Sequence, residues 1–436
     1  MFTPANHRRV LTVLPLLAAL VLSVLGPATA LAGGGPSLTP IDPSTETTFY
    51  GRGWGHGVGL SQYGARGRAL AGQTSSEILA HYYAGTTLGT TDPAGQIRVL
   101  VLAGFAATAA RPAVLYGRRG AWTIDGIAKT FPADAKLRLW PTAVGATTWN
   151  LKITSSTGMV LHRSTAKGRL TMRPAVAATR LQVYSRPSFY DLYRGVVRIY
   201  LTTKVKVINV LGLDAYLRGV VPAEMPSTWP GEALRAQAIA ARSYAARRLR
   251  PGISNYDVYD DTRSQVYRGV LGEKASTTAA ITATSGIVLK SGSSIANALF
   301  HSTAGGATEN NEYVFVSSAG SIVAGAISYL RGSSDRAPDG TSYDAGGPYA
   351  TWQTAAYTGY ELSAIFANDV RTNVGAMTGL DLSQRGVSGR LIKVTLVGAL
   401  GSKTVSGDVF RSIFNAWRPA TDLPLRSSLF DTQPIP

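Results

Sequence analysis

Glu224 stands in Val220-Val-Pro-Ala-Glu-Met-Pro226, between Pro222 and Pro226 and just ahead of a long amphipathic stretch. A proline fixes its own φ and pushes the residue before it out of the helical region, so Ala223-Glu224-Met225 is expected as a stiff, non-helical link. A carboxylate held on such a link can face a cleft. With Met225, Pro226 and Trp229 around it, its pKa would be raised and it could serve as a general acid. On this local pattern alone, a solvated loop glutamate is the commoner outcome. Other schemes find less support. None of the five histidines is followed by glutamate, so there is no His-Glu-x-x-His zinc motif, and there is no Gly-x-Ser-x-Gly elbow.

The surrounding pattern indicates what must position this carboxylate. Leu213-Asp214-Ala-Tyr-Leu217 reads as a short helix with a polar start, and Ser227 or Thr228 could cap a second helix with Pro230 in its early turn. In that second helix Leu234, Ala238, Ala241, Ala245 and Leu249 form one buried stripe, with Arg235, Arg242, Arg247 and Arg248 largely off it. Arg242 and Tyr244 are read as structural. Residues 255–262 and 264–267 read as extended or loop, and 276–283 as a helix. Gly286–Lys290 and Ile295–Phe300 read as paired strands about Ser291-Gly-Ser-Ser294, delivering His301-Ser302 at a strand end, where scaffolds place reactive groups.

Upstream, Gly51, Gly53, Gly55, Gly57 and Gly59 alternate with Arg52, Trp54, His56 and Val58. The backbone can therefore approach a ligand or another strand while the alternate side chains share a face, which makes Trp54 and His56 candidates to line a cleft, with tight packing as the other reading. The dinucleotide spacing Gly-x-Gly-x-x-Gly is absent. From Asp92-Pro-Ala-Gly95 onward, residues 96–190 read as a β-rich unit of short strands separated by Gly, Pro, Asp and Ser turns.

Composition bounds the setting. Residues 1–32 carry His7-Arg8-Arg9, an apolar run from Leu11 to Leu25 and a small-residue site at Ala30-Leu-Ala32, the pattern of a signal peptide, so export is expected. No later stretch is long and apolar enough to span a membrane. The chain has no cysteine, which leaves no disulfide or thiolate metal site. Hydrophobic residues make up 45% and charged residues 16% of the 436, a globular composition able to bury a core. The formal charge of +18, of which Arg8 and Arg9 carry two, points to anionic wall polymers as partners. Nucleic acid is disfavoured, because no run of Lys/Arg with interleaved aromatics and no zinc-finger spacing occurs.

Longer blocks carry a resemblance. Tyr193-Arg-Gly195, Ile208–Leu211, Asp214–Leu217, Val220–Pro226, Glu232–Tyr244, Tyr256–Val258, Gln265–Tyr267, Phe300–Asn310, Ser388–Arg390 and Leu425–Ser427 resemble the SpoIID/LytB family, which contains peptidoglycan lytic transglycosylases. Phe49–Ala65, continuing to His81–Thr86, is similar to that family's closing motif but here comes first, which implies a circular permutation with residues near 49 and near 430 as neighbours. The expected architecture is α+β: a signal peptide at 1–32, a linker at 33–48, the permuted Gly-rich segment at 49–92, the β-rich unit at 96–190 and the catalytic core at 191–430.

The resemblance implies Glu224 as catalytic acid and then base, cutting the MurNAc–GlcNAc β-1,4 bond with 1,6-anhydroMurNAc formation. His301, Ser302, Gln265 and Tyr267 match family positions and are expected to contact substrate or to orient it or the acid, with Glu224 within about 10 Å of His301 or Gln265. The expected substrate is the peptidoglycan glycan strand, with no cofactor or metal. Some relatives hold zinc through cysteines in the segment that here reads Val258–Gln265, but this chain has Tyr259 and Ser264 there. Asp214, Asp257, Asp261 and Glu309 leave a two-carboxylate hydrolysis open. The alternative from another class is a wall-binding enhancer of a cell-wall amidase.

Overall fold

The computed structural model describes residues 38–435. The proposed signal peptide and residues 33–37 lie outside these described residues. The fold is α+β, organised around a twelve-stranded sheet. Strands Lys136–Pro141 and Thr148–Thr154 show why this sheet forms. Their alternate residues Leu137, Leu139, Trp149, Leu151 and Ile153 are buried, whereas Arg138, Asn150 and Lys152 face outward. The buried indole N–H groups find carbonyls: Trp122 donates to Pro132 O at 3.2 Å and Trp149 to Thr202 O at 2.8 Å.

The β-rich stretch is continuous with the core rather than packed beside it. Val160–Pro174 pairs antiparallel with Val196–Leu201, and Val205–Gly212 pairs antiparallel with Gln96–Phe105. Each long strand thereby gains a partner on its open edge, where unpaired N–H and C=O groups would otherwise lie exposed. The described part of the expected linker is also structured. Leu38–Pro40 pairs with Met377–Asp381, and Glu46–Arg52 forms a strand.

Helix Leu213–Glu224 turns its Leu213, Tyr216, Leu217, Val220 and Val221 into the sheet's core. It continues through Pro222, so the expected non-helical link at 223–225 is corrected. The missing N–H of Pro222 takes away only the donor that would reach the Arg218 carbonyl four residues back. The break comes one step later, at Met225 (φ −134, ψ 134), where Pro226 enforces an extended conformation. The next helix, Gly231–Arg247, is capped by Pro230 and not by Ser227 or Thr228.

That second helix is buried nearly all round, beyond the expected stripe, because its alanines let Gln62–Leu70, Ser75–Tyr82, Leu213–Glu224 and Ala275–Ala283 all approach it. Arg242 is therefore fully buried rather than off the core. Its Nε donates to Asp214 Oδ1 at 2.7 Å, and its Nη atoms donate to the carbonyls of Ile287 and Ile281.

A smaller apolar cluster closes the far end. Phe49 packs edge-on against Phe410, Phe414 and Phe430 at 5.4–5.9 Å, beneath a four-stranded sheet that includes Lys393–Gly398 and Gly401–Ser406. The strand Glu46–Arg52 pairs with Thr351–Thr358 on one side and Phe430–Asp431 on the other, so residues near 49 and 430 are indeed neighbours. Among the described residues no helix is long and apolar enough to cross a membrane.

Replacing Arg242 by Met leaves Asp214 and two carbonyls without their donor, so stability should fall by about 3 kcal/mol. Urea unfolding of the purified variant measures this, and an unchanged midpoint would refute the structural role given to Arg242.

Candidate functional site

Glu224 ends its helix at the edge of a cleft of about 580 Å³, lined also by Trp54, His56, Tyr63, Trp229, His301 and Ser302. Its carboxylate is largely withdrawn from water, with Oε1 accepting from Val266 N–H at 2.8 Å. Burial raises its pKa, an effect that the Val266 hydrogen bond and the Arg268 charge only partly oppose. Glu224 is the one carboxylate on this lining. The other candidate acids are engaged elsewhere: Asp214 with Arg242, Asp257 with Arg98 and Asp261 with Arg263. Glu309 accepts from the N–H groups of Asn310, Val387 and Ser388.

The opposite wall comes from the Gly-rich segment. Gly53, Gly55, Gly57 and Gly59 all have positive φ, so the segment coils instead of running as an alternating strand. Trp54 is 43% exposed and Val58 is buried, so the two do not share a face, although Trp54 and His56 both reach the cleft. The glycines also permit contact that no side chain would. A Cβ on Gly55 would lie 3.0 Å from the His301 Cβ, and one on Gly59 would lie 2.2 Å from Leu299 O.

Leu60–Ser61 pairs in parallel with Phe300–His301, so the expected hairpin partner of residues 295–300 is instead only Ser294–Ile295 against Ile287–Ser291, and His301 is delivered by the Gly-rich segment. Trp54 is held by backbone hydrogen bonds in both directions with Thr303, and its ring meets Tyr349 edge-on at 4.8 Å.

The two cleft histidines are neutral. His56 Nδ1 accepts from Val58 N–H at 3.0 Å, and burial together with the nearby Arg390 guanidinium lowers its pKa to about 4. His301 is 5% exposed. Burial, then the His56 and Arg390 charges, hold its pKa well below the ordinary range. Its Nδ1 lies 3.3 Å from Val58 O, an acceptor, so the proton belongs on Nδ1. Its Nε2 is then a buried acceptor with no partner in the protein. The ring centroids of the two histidines are 5.4 Å apart.

Two expected substrate contacts are corrected. Gln265 and Tyr267 are 1% and 2% exposed and lie beneath the cleft. Gln265 accepts from Tyr216 O–H and donates to Ala241 O, and Tyr267 O–H donates to Asn209 Oδ1. They brace the backbone that presents Val266 N–H to Glu224, because a chain segment with apolar core on one side cannot leave its polar groups unpaired. Gln62 and Tyr63 were not singled out in the sequence, although they follow the glycines in the same motif. Gln62 Nε2 donates to Glu224 O at 3.1 Å, and Tyr63 packs edge-on against Trp229 at 4.7 Å.

Residues 202–290, which carry Glu224, match the family described as SpoIID, stage II sporulation protein. An uncharacterized protein of Brachyspira hyodysenteriae is 35% identical over 128 residues, covering 29% of this chain and 34% of that protein. The amidase enhancer of Bacillus subtilis is 39% identical over 108 residues, covering 25% of this chain and 14% of the relative. Stage II sporulation protein D of Bacillus subtilis is 34% identical over 154 residues, covering 31% and 41%. The matched stretches thus span less than half the length of these relatives. Residues 202–290 are thus similar to the SpoIID family, and the chain resembles both the amidase enhancer and stage II sporulation protein D over part of their length. No solved structure matches it.

Two measurements check the site's electrostatics. For Glu224 the folded pKa lies above the unfolded value, so the native state binds the extra proton and loses stability as pH rises through that window. Glu224→Gln should therefore be more stable than the parent at neutral pH, with the difference vanishing below about pH 4. Thermal melts across pH read it, and a variant less stable at neutral pH would contradict the raised pKa. The ¹⁵N ring signals of His56 should stay flat between about pH 5.5 and 8, where an ordinary histidine titrates.

Proposed function

We propose that this chain is an exported peptidoglycan lytic transglycosylase that cleaves the MurNAc–GlcNAc β-1,4 bond of glycan strands. The observation that carries the reading is a single cleft carboxylate, Glu224, whose burial favours the protonated form an acid catalyst needs. Protonated Glu224 gives its proton to the bridging oxygen as the C1–O bond breaks and charge develops on the sugar. The resulting carboxylate takes the proton from the C6 hydroxyl, and that oxygen closes on C1 to leave a 1,6-anhydro ring. No water is consumed and no second carboxylate is required.

Trp54, Tyr63 and Trp229 offer ring surface for sugar C–H groups on the cleft lining, with His301 packed behind them. Ser302 would add a hydroxyl contact. Supporting the permuted order is the pairing of Tyr50 with Asp431 and of Gly51 with Phe430.

The match to the amidase enhancer favours a second reading, in which the cleft holds glycan without cutting it and the protein assists a cell-wall amidase. Product masses separate the two. Incubated with purified glycan strands, with and without stem peptides, the protein should generate anhydro-muramic ends. Glu224→Gln should slow their formation by about a thousandfold while the fold is retained. Reducing ends would mean hydrolysis, and absence of cleavage by folded protein would favour the enhancer.

A further inference from the structure

The outward face of the large sheet carries a row of charge that packing does not use. Lys152 lies directly opposite Arg163 on one side and Arg138 on the other, so three cations cross three adjacent strands in a line. Directly opposed residues of antiparallel strands share a face, with Cβ atoms about 5 Å apart. Leu137, Leu139, Leu151 and Ile153 take the inward positions. Lys167, on the same outward face opposite Thr148, extends the row.

Among the described residues, none of Arg138, Lys152, Arg163 and Lys167 has an ion-pair or side-chain hydrogen-bond partner. The acids of the adjoining turns, Asp134 and Asp125, are already held by Arg118 and Arg173. Like charges placed directly opposite cost stability, and the sheet is held by its inner face. The row therefore lacks a structural role and lacks its counter-charge.

We propose that this row docks a flexible phosphodiester polyanion, a polyol phosphate of the cell envelope, at a site separate from the cleft. Charge complementarity selects a polymer bearing regular negative charge over neutral glycan. Docking would hold the protein against the wall while the cleft remains open.

The test measures binding of the full exported chain to synthetic poly(glycerol phosphate) at low and high salt. Affinity should fall with salt. The triple variant Arg138→Gln, Lys152→Gln, Arg163→Gln should bind at least about tenfold more weakly, whereas a control triple of equal charge loss, Lys204→Gln, Arg250→Gln, Lys274→Gln, should stay within about twofold. Equal weakening by both triples would reduce the effect to net charge and overturn the assignment. Tighter binding of a single-stranded oligonucleotide would overturn it as well. Melting curves confirm that the variants fold, and Lys152→Gln alone, at the centre of the row, serves if the triple does not.

Discussion

The cleft depends on a close approach of backbone to backbone. The Gly-rich segment passes so near Leu299–Ser302 that glycine is required at its turns, and this contact brings His56 beside His301 opposite Glu224. Behind it, Arg390 is buried, donating to the carbonyls of Ala304 and Ala307 and to Ser388 Oγ, with its guanidinium against the space a Cβ on Gly57 would fill. Burial first, and this cation in addition, disfavour a proton charge on both histidines, and through Ser388 the guanidinium faces the hydrogen-bonded Glu309.

Glu224 meets this wall from a different part of the chain. Its helix is seated in the core of the large sheet by Tyr216, Leu217, Val220 and Val221, and the proline after Met225 ends it where the carboxylate reaches the cleft rim. The Val266 N–H that binds the carboxylate is steadied by Gln265 and Tyr267 below. Rigid support on one side and an apolar edge on the other give a carboxyl group with a fixed direction and a raised pKa, the two properties asked of an acid catalyst.

Much of this could be read from residue order, and the failures have physical reasons. Alternation identified the strands of the β-rich stretch, and the alanine-rich spacing identified the helix after Glu224. Pairing partners were hidden, because a strand's pattern shows which face is buried but not which edge is shared, so the fusion of that stretch with the core was missed. Arg242 falls off the apolar stripe by spacing and is read as structural, and what the spacing cannot show is that an ion pair with Asp214 lets it be buried. The proline before Glu224 suggested a break too early, since a proline near a helix end disturbs little. For Gln265 and Tyr267 residue type alone leaves contact with substrate and support of the acid equally open, and only their burial favours the second.

The pairing of Glu46–Arg52 with both Thr351–Thr358 and Phe430–Asp431 has a consequence for how the molecule comes into being. Contacts so distant in sequence form only after most of the chain has been made, and closing such loops is slow. The Gly-rich wall is synthesised early yet must wait for Phe300–Thr303, then Thr351–Thr358, then Phe430–Asp431 before all its pairings can form. A chain grown just past residue 250 therefore carries both the acid's helix and the Gly-rich segment with that segment still unpaired, and the cleft is completed late, as those distant strands arrive.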